Sequence, residues 1–309
     1  MNIMLIIEGT YPWYRGEVSE WVFQYLKHLK EFNFTILQIA TDEFQGLDPS
    51  EALYPIPENV KEFYRISPPE IKENWQIYLN EWYQQLNLSN KLDINTDVIH
   101  VANTGFAGWI GSKLSKNNYI PMLLTEHAIY WKEINMGAVA LECGYKIPET
   151  QEQKDRFAAS FQEIAAYTYS NSDQVITVSK VNIPFQHELG ATNIAYIPNG
   201  VSESWILPKK KRDITPTIGW VGRCAEMKNP LAFFDLVDAF KTNKLHPRFI
   251  MVLSDANEKN LEERVRERSK EYANIELVWN QPSKEYYSKM DMLCITSHNE
   301  SQPLVMLEA

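Results

Sequence analysis

The sequence predicts an α/β protein made of two facing Rossmann-like domains, the second of them incomplete. Three observations carry this. Short apolar runs alternate with longer amphipathic ones nearly throughout the chain, the pattern of βαβ units around parallel sheets. That periodicity disappears over residues 199–216 and then restarts, which marks a connection between two bodies. A chain of 309 residues has room for about two domains. The expected division is 1–199 for the first domain, 200–215 for the linker and 216–309 for the second.

In chain order, Ile3 to Ile7 is the first strand, and a Gly/Pro-containing loop leads from it to a helix over Val18 to Leu29. Phe34 to Ile39 is the next strand. Asp42 to Asn59 has three prolines and little periodicity and reads as loop. A Trp/Tyr-rich helix is expected over Pro69 to Leu86. Strands at Val98 to Val101 and Pro121 to Leu124 flank a helix near Gly108 to Leu114. A long helix follows at Gln151 to Ser170, then strand Gln174 to Val178, a short helix ending at Gly190, and strand Ile194 to Ile197. The second half opens on strand Thr217 to Val221. It continues with helix Pro230 to Phe240, strand Phe249 to Leu253, helix Lys259 to Tyr272, and strands Ile275 to Val278 and Met292 to Thr296. It stops inside a last helix at Ala309 with neither a glycine cap nor a polar terminus. The second domain therefore reads as truncated, since a doubly wound domain of ordinary size needs several more elements.

Composition narrows the function classes. The chain is 44% hydrophobic and 23% charged, as in ordinary globular proteins. A net charge of −10 and a sequence pI of about 5.2 argue against nucleic acid as a partner and give no overall attraction to anionic membranes. The run Lys209 to Arg212 is a local basic exception that a solvated linker explains. Cys143, Cys224 and Cys294 are widely spaced and odd in number, so neither a disulfide framework nor a zinc site is indicated. No stretch approaches the ~20 apolar residues of a membrane span, and the opening run lacks the basic flank of a signal peptide. The expected location is the cytoplasm.

Chemistry-bearing residues gather at predicted strand ends. Glu300 and Glu308 stand eight positions apart after the last strand, with Pro303 suited to the first turn of a helix and Leu304, Val305 and Leu307 giving that helix a buried side. This is the crevice where open α/β sheets bind ligands, and carboxylates there can accept from sugar hydroxyls, an arrangement that suits a nucleotide-sugar. Gly222-Arg223 ends a strand and Lys228 follows at the next helix; two such cations can stabilise charge on a departing nucleoside diphosphate, although an interdomain ion pair and a solvated lysine explain them equally. In the loop from Glu8 to Ser19, Gly16 allows close backbone approach to a ligand, Arg15 can reach an anion, and Tyr11, Trp13 and Tyr14 read either as binding aromatics or as a packed loop. Thr125-Glu126-His127 follows a strand at its carboxyl end; a histidine there can donate to a substrate hydroxyl, while a structural role is the commoner one. Asn199-Gly200 is a turn signal. No dinucleotide fingerprint, Walker loop, Gly-x-Ser-x-Gly or metal-helix spacing is present.

Taken together and in order, Glu8-Gly-Thr-Tyr-Pro12, Thr125-Glu126-His127, Ile197-Pro-Asn-Gly200, Gly222-Arg223-x4-Lys228 and Glu300-x7-Glu308 resemble the retaining glycosyltransferases of family four, which have the two-domain GT-B fold. Arg15-Gly16, Val18-Ser19-x-Trp21, Gly105-x-Ala107-Gly108 and Gln186-x-x-Leu189-Gly190-Ala191 are most similar to the exopolysaccharide (Pel-type) branch, whose usual donor is UDP-glucose. The resemblance implies transfer of a hexose from a UDP-sugar to a glycan or lipid-linked acceptor, with retention of configuration, no metal and no cofactor beyond the donor itself. It assigns catalysis to His127 and Glu300. Donor binding falls to Gly16, Arg223, Lys228, Ser301, Gln302, Pro303, Leu304 and Glu308, with Arg223 and Lys228 on the diphosphate and Glu308 on ribose. Tyr11, Arg15 and Tyr130 become acceptor-side candidates. Peripheral association with the inner face of a membrane, or with a polysaccharide-synthesis complex, is implied as well.

The chain departs from the pattern at Glu17, where the branch has a second glycine, at Ala128 in place of a glycine, and at Leu253-Ser-Asp-Ala256, which lacks one. These departures and the ending at Ala309 support an alternative: a non-catalytic, truncated glycosyltransferase-like fragment with a binding role. A nicotinamide-dependent oxidoreductase, the third option, lacks its fingerprint glycines.

Overall fold

In the computed structural model, which describes residues 1–9, 11–13, 16–40, 52–69, 75–136, 148–206, 214–243, 246–256 and 258–309, the chain divides into two units, Met1–Pro198 and Asn199–Ala309. Both are doubly wound α/β units on parallel sheets.

Unit 1 contains β1 (Asn2–Glu8), α1 (Glu17–His28), β2 (Asn33–Ile39), β3 (Val60–Ile66), α2 (Trp75–Leu86), α3 (Leu88–Lys91), β4 (Val98–Ala102), α4 (Phe106–Asn118), β5 (Met122–Glu126), α5 (Tyr130–Asn135), α6 (Gln151–Ser170), β6 (Gln174–Thr177), α7 (Ile183–Glu188) and β7 (Ile194–Tyr196). Its strands run in the order β3-β2-β1-β4-β5-β6-β7. The chain winds outward on one side of β1, then returns to its other side at β4, so the switch point lies between β1 and β4. Strand β1 is buried on both faces, as its unbroken apolar run requires. Met4 and Ile6 join the core beneath α4 and α6, while Ile3, Leu5 and Ile7 join Val22 and Leu26 of α1 on the opposite face. Thr150 caps α6 by accepting from the Gln153 amide at 3.3 Å, the reach a Thr-x-x-Gln start provides. Gly111 lets α4 lie directly on β4, because a Cβ there would collide with Val101.

Unit 2 contains β8 (Thr217–Arg223), α8 (Leu231–Thr242), β9 (Arg248–Ser254), α9 (Lys259–Ser269), β10 (Ile275–Trp279), α10 (Lys284–Tyr287), β11 (Met292–Leu293) and α11 (Leu304–Glu308). The sheet order is β10-β9-β8-β11, which repeats the first four strands of unit 1. Ile218, Trp220, Phe249, Met251 and Leu253 pack under Phe233, Phe234 and Val237 of α8 and Leu261 and Val265 of α9. On the other face Ile250, Val252 and Val278 pack with Met290. Gly219 is required here, because the Met290 thioether fills the space a side chain at 219 would take.

Several expectations are corrected. Strand β3 and the short helices α3, α5 and α10 form in stretches where no element is expected from the sequence. Thr125 and Glu126 lie inside β5, and Gly222 and Arg223 inside β8, so these strands run farther than their apolar cores. The helix expected to end at Tyr272 stops at Ser269, and the strand expected over Met292 to Thr296 pairs only at Met292–Leu293. Pro303 precedes α11 rather than opening its first turn, and no residue of that helix is fully buried. The basic run 209–212, Cys143 and the residues 41–51 and 70–74 of the expected loop and helix lie outside the described residues.

Candidate functional site

At the carboxyl edge of the unit 2 sheet, Arg223 ends β8, and a short 3-10 turn (Glu226–Lys228) brings Lys228 toward the loop after β11. The Lys228 ammonium donates to Glu300 Oε1 at 2.6 Å, and the Ser297 hydroxyl donates to the same oxygen at 2.6 Å. The loop is clamped by its own backbone: the His298 amide donates to the Met227 carbonyl at 2.9 Å. Thr296 bridges the two segments, taking the Trp220 indole N–H at 2.8 Å and standing 2.8 Å from the Asn229 carbonyl. The ion pair retains partial access, with side chains 22% and 16% exposed, so an incoming anion can compete for Lys228. Arg223 lies close enough to Glu258 to lower that carboxyl's pKa, although burial of Glu258 raises it more.

Farther along, Glu308 Oε2 accepts from the Tyr287 hydroxyl at 2.7 Å. Burial, with the Glu308 charge adding, holds that phenol well above its usual value. Gln302 Oε1 accepts the Asn199 amide at 2.6 Å, so this predicted donor-side residue anchors the start of unit 2. Leu304 opens α11 half-buried beside Pro303 and Ser301. The structure thus brings Lys228 and Glu300 together after β11, with Arg223 at the end of the neighbouring β8, while Glu308 meets Tyr287 instead.

Unit 1 organises its carboxyl edge around buried polar groups. The Glu8 carboxylate, at the end of β1, accepts from the Ala107 amide at 2.6 Å, which places a negative charge on the first turn of α4. Gly105 makes this possible: a Cβ there would collide with both Glu8 oxygens and with the Tyr130 ring. Next to it, Glu126 is wholly buried and accepts from Thr104 at 2.8 Å, Tyr169 at 2.6 Å and Gln186 at 2.6 Å. Burial pushes its pKa up and the three donors pull it back.

His127 follows β5 with 3% of its surface exposed. Its ring stands edge-on to Trp21 at 4.7 Å, and neither ring nitrogen has a hydrogen-bond partner. Burial drives its pKa down to about 3. The neighbouring His100 is bonded to Tyr25 at 2.9 Å and to Thr125 at 2.8 Å; burial first, and then His127, bring it to about 3 as well. Both rings are therefore neutral donor–acceptor groups.

Two of the remaining candidates are buried. Tyr11 is buried in the core against Tyr54, at 6.0 Å between rings. Tyr130 is buried and receives the Asn103 amide group at 3.0 Å. Gly16 precedes α1 in extended backbone, with open space where a Cβ would stand, so the fold does not itself demand glycine there. Arg15 and Tyr14 lie outside the described residues. Sequence reasoning passed over Glu8 as a functional group and missed Asn103 entirely. Among the described residues no cluster of three or more His, Cys, Asp or Glu side chains could hold a metal, and no helix is long and apolar enough to cross a membrane. Cys224 and Cys294 are free thiols.

Comparison with known proteins bears on the family and the fold. Residues 1–76 and 75–193 match the family described as domain of unknown function DUF3492, and residues 202–309 match Glycosyl transferases group 1. A search of curated proteins by sequence finds no match. Among solved structures, α,α-trehalose 6-phosphate synthase from Burkholderia multivorans is 9% identical with a TM-score of 0.65, covering 100% of this chain and 80% of its own. The lipopolysaccharide outer core galactosyltransferase WaaB, in its apo form, is 14% identical with a TM-score of 0.59 (100% and 78%). The catalytic domain of starch synthase IV from Arabidopsis thaliana, bound to ADP and acarbose, is 12% identical with a TM-score of 0.55 (99% and 80%). At these identities the likeness shows the fold. The chain belongs to the DUF3492 family, and with its group 1 region and two Rossmann-like sheets it is a glycosyltransferase of the GT-B fold.

Proposed function

We propose that the chain transfers a hexose, glucose in the first instance, from a UDP-sugar to a glycan or lipid-linked acceptor, with retention of configuration and without a metal ion. The observation that carries this reading is the partly exposed Lys228–Glu300 pair, beyond the β8 strand that Arg223 ends, at the switch point of the unit 2 sheet within the group 1 region. When the anomeric C–O bond breaks, its electron pair leaves on the nucleoside diphosphate, the acceptor hydroxyl oxygen bonds to the anomeric carbon, and the acceptor's proton passes to the departing diphosphate. Arg223 and Lys228 stabilise that charge as fixed cations, the part a metal plays elsewhere. Glu300 accepts from sugar hydroxyls and Glu308 from the ribose. Unit 1 serves the acceptor, and neutral His127, buried at the carboxyl end of β5, is the group assigned to a substrate hydroxyl once the surrounding side chains yield to the ligand. Association with a polysaccharide-synthesis complex belongs to the same proposal.

A second reading, binding without turnover, draws on the fact that Lys228 and Glu300 satisfy one another without any ligand. One experiment separates the two: incubation with a panel of nucleotide-sugars, following release of nucleoside diphosphate with and without EDTA. Release from UDP-glucose that EDTA leaves intact supports the transferase; binding with no release from any donor supports the second reading; and a strict magnesium requirement removes the metal-free mechanism.

A further inference from the structure

We infer that Asn103 is the positioning residue for His127, and through it for the substrate hydroxyl that His127 contacts; this rests on the function proposed above. Asn103 follows β4 with φ of 69°, in the left-handed region that asparagine enters more readily than most side chains. That turn directs its amide head at the segment leaving β5. Asn103 Oδ1 accepts from the backbone amides of His127 at 2.7 Å and Ala128 at 3.3 Å, and Nδ2 donates to the Tyr130 hydroxyl at 3.0 Å. The Asn103 amide itself donates to the Thr125 carbonyl at 2.9 Å, which fixes the head to the end of the neighbouring strand.

The His127 ring supplies no comparable tie. Both of its nitrogens are buried without a hydrogen-bond partner, and its ring contact is a T-shaped one with Trp21 at 4.7 Å. A buried imidazole with no protein partner is held by neither of its nitrogens. Its place must therefore be imposed through the backbone, and Asn103 is the group that imposes it. Among small polar side chains, asparagine alone combines acceptor and donor on one planar head of this length; aspartate keeps the acceptor, and serine has a single, shorter oxygen.

The test uses the full chain and measures kcat and donor KM for Asn103→Ala, Asn103→Asp, His127→Ala and the Asn103→Ala/His127→Ala double variant. Asn103→Ala should lower kcat about 100-fold, the scale of an ångström-level misplacement, with donor KM near that of the unaltered chain. Asn103→Asp, which keeps the acceptor for both amides, should recover most of the rate. In the His127→Ala background, Asn103→Ala should cost nothing further. Losses that multiply, or an aspartate variant as slow as the alanine one, overturn the inference. Where the alanine variant does not fold, Asn103→Ser carries the same comparison. Amide hydrogen exchange reads the tie without turnover: Asn103→Ala or Asn103→Ser should strip protection from the His127 and Ala128 amides selectively, and unchanged protection there overturns the inference as well. If the unaltered chain turns over no nucleotide-sugar, the proposed function fails, while exchange still decides whether Asn103 holds His127.

Discussion

The two sheets begin with the same strand order and end in opposite charge. In unit 1 the central strand finishes at Glu8, whose carboxylate occupies the first turn of α4; in unit 2 the corresponding strand finishes at Arg223, with Lys228 close behind. A helix start at a switch point is the ordinary phosphate site of such folds. Glu8 places an anion of the protein's own where that phosphate would sit, and repels a second one. Unit 2 presents cations, one of them held by a partly exposed carboxylate that a phosphate can replace. Topology thus builds the crevice twice, and the last residue of one strand sets the charge each crevice presents.

The strongest way to break this contrast is to remove the charges on each side. Arg223→Ala with Lys228→Ala should weaken UDP binding by roughly 1.5–3 kcal/mol for each charged hydrogen bond lost, whereas Glu8→Gln should leave UDP affinity unchanged. Titration calorimetry on both variants decides it, and an equal loss from Glu8→Gln would erase the distinction.

Acid should separate the units next. His100 and His127 have pKa values near 3 in the folded chain against 6.5 for an ordinary histidine. Below about pH 6.5 the unfolded chain takes up protons that the folded unit refuses, so stability is lost as pH falls through this window, by up to about 1.4 kcal/mol per pH unit for each ring. Glu126, whose pKa burial raises, favours its protonated form and opposes the trend, but it is one group against two. Amide exchange between about pH 7 and about pH 5 should show unit 1 weakening ahead of unit 2; parallel loss of protection would argue that the buried histidines do not govern it.

The smallest effect sharpens the picture within unit 2. Glu300→Gln frees Lys228 from its ionic partner, so UDP should bind more tightly by about 0.2–1 kcal/mol, the range of an exposed pair, while turnover of the intact donor falls. Weaker UDP binding in this variant would show that Glu300 orients Lys228 rather than competing for it.

Much of the fold was legible because the central strands of both sheets are continuous apolar runs, as buried parallel strands must be. Strand β3 was not, because Lys61, Glu62 and Arg65 break its pattern; those charges belong to a sheet edge, where they discourage pairing with another chain. The short helices α3, α5 and α10 span too few residues to show a period. At the site, the resemblance singled out Arg223, Lys228, Glu300 and Glu308, but their pairings could not be read from the sequence. Lys228 meets Glu300 across 72 positions and Glu8 meets Ala107 across 99; no local pattern records such distances. Asn103 was hidden for a different reason, since an asparagine before a helix start reads as a turn residue and nothing in the sequence says whose backbone it holds.

One contact noted in the fold has a bearing on durability. The Met290 sulfur lies against the bare backbone of Gly219, in the strand that leads to Gly222 and Arg223. Converting that thioether to a sulfoxide would add a polar oxygen where there is no room for a methyl group. A peroxide exposure that spares the rest of the chain would then strike unit 2 from beneath its sheet, and a methionine sulfoxide reductase would be what restores it.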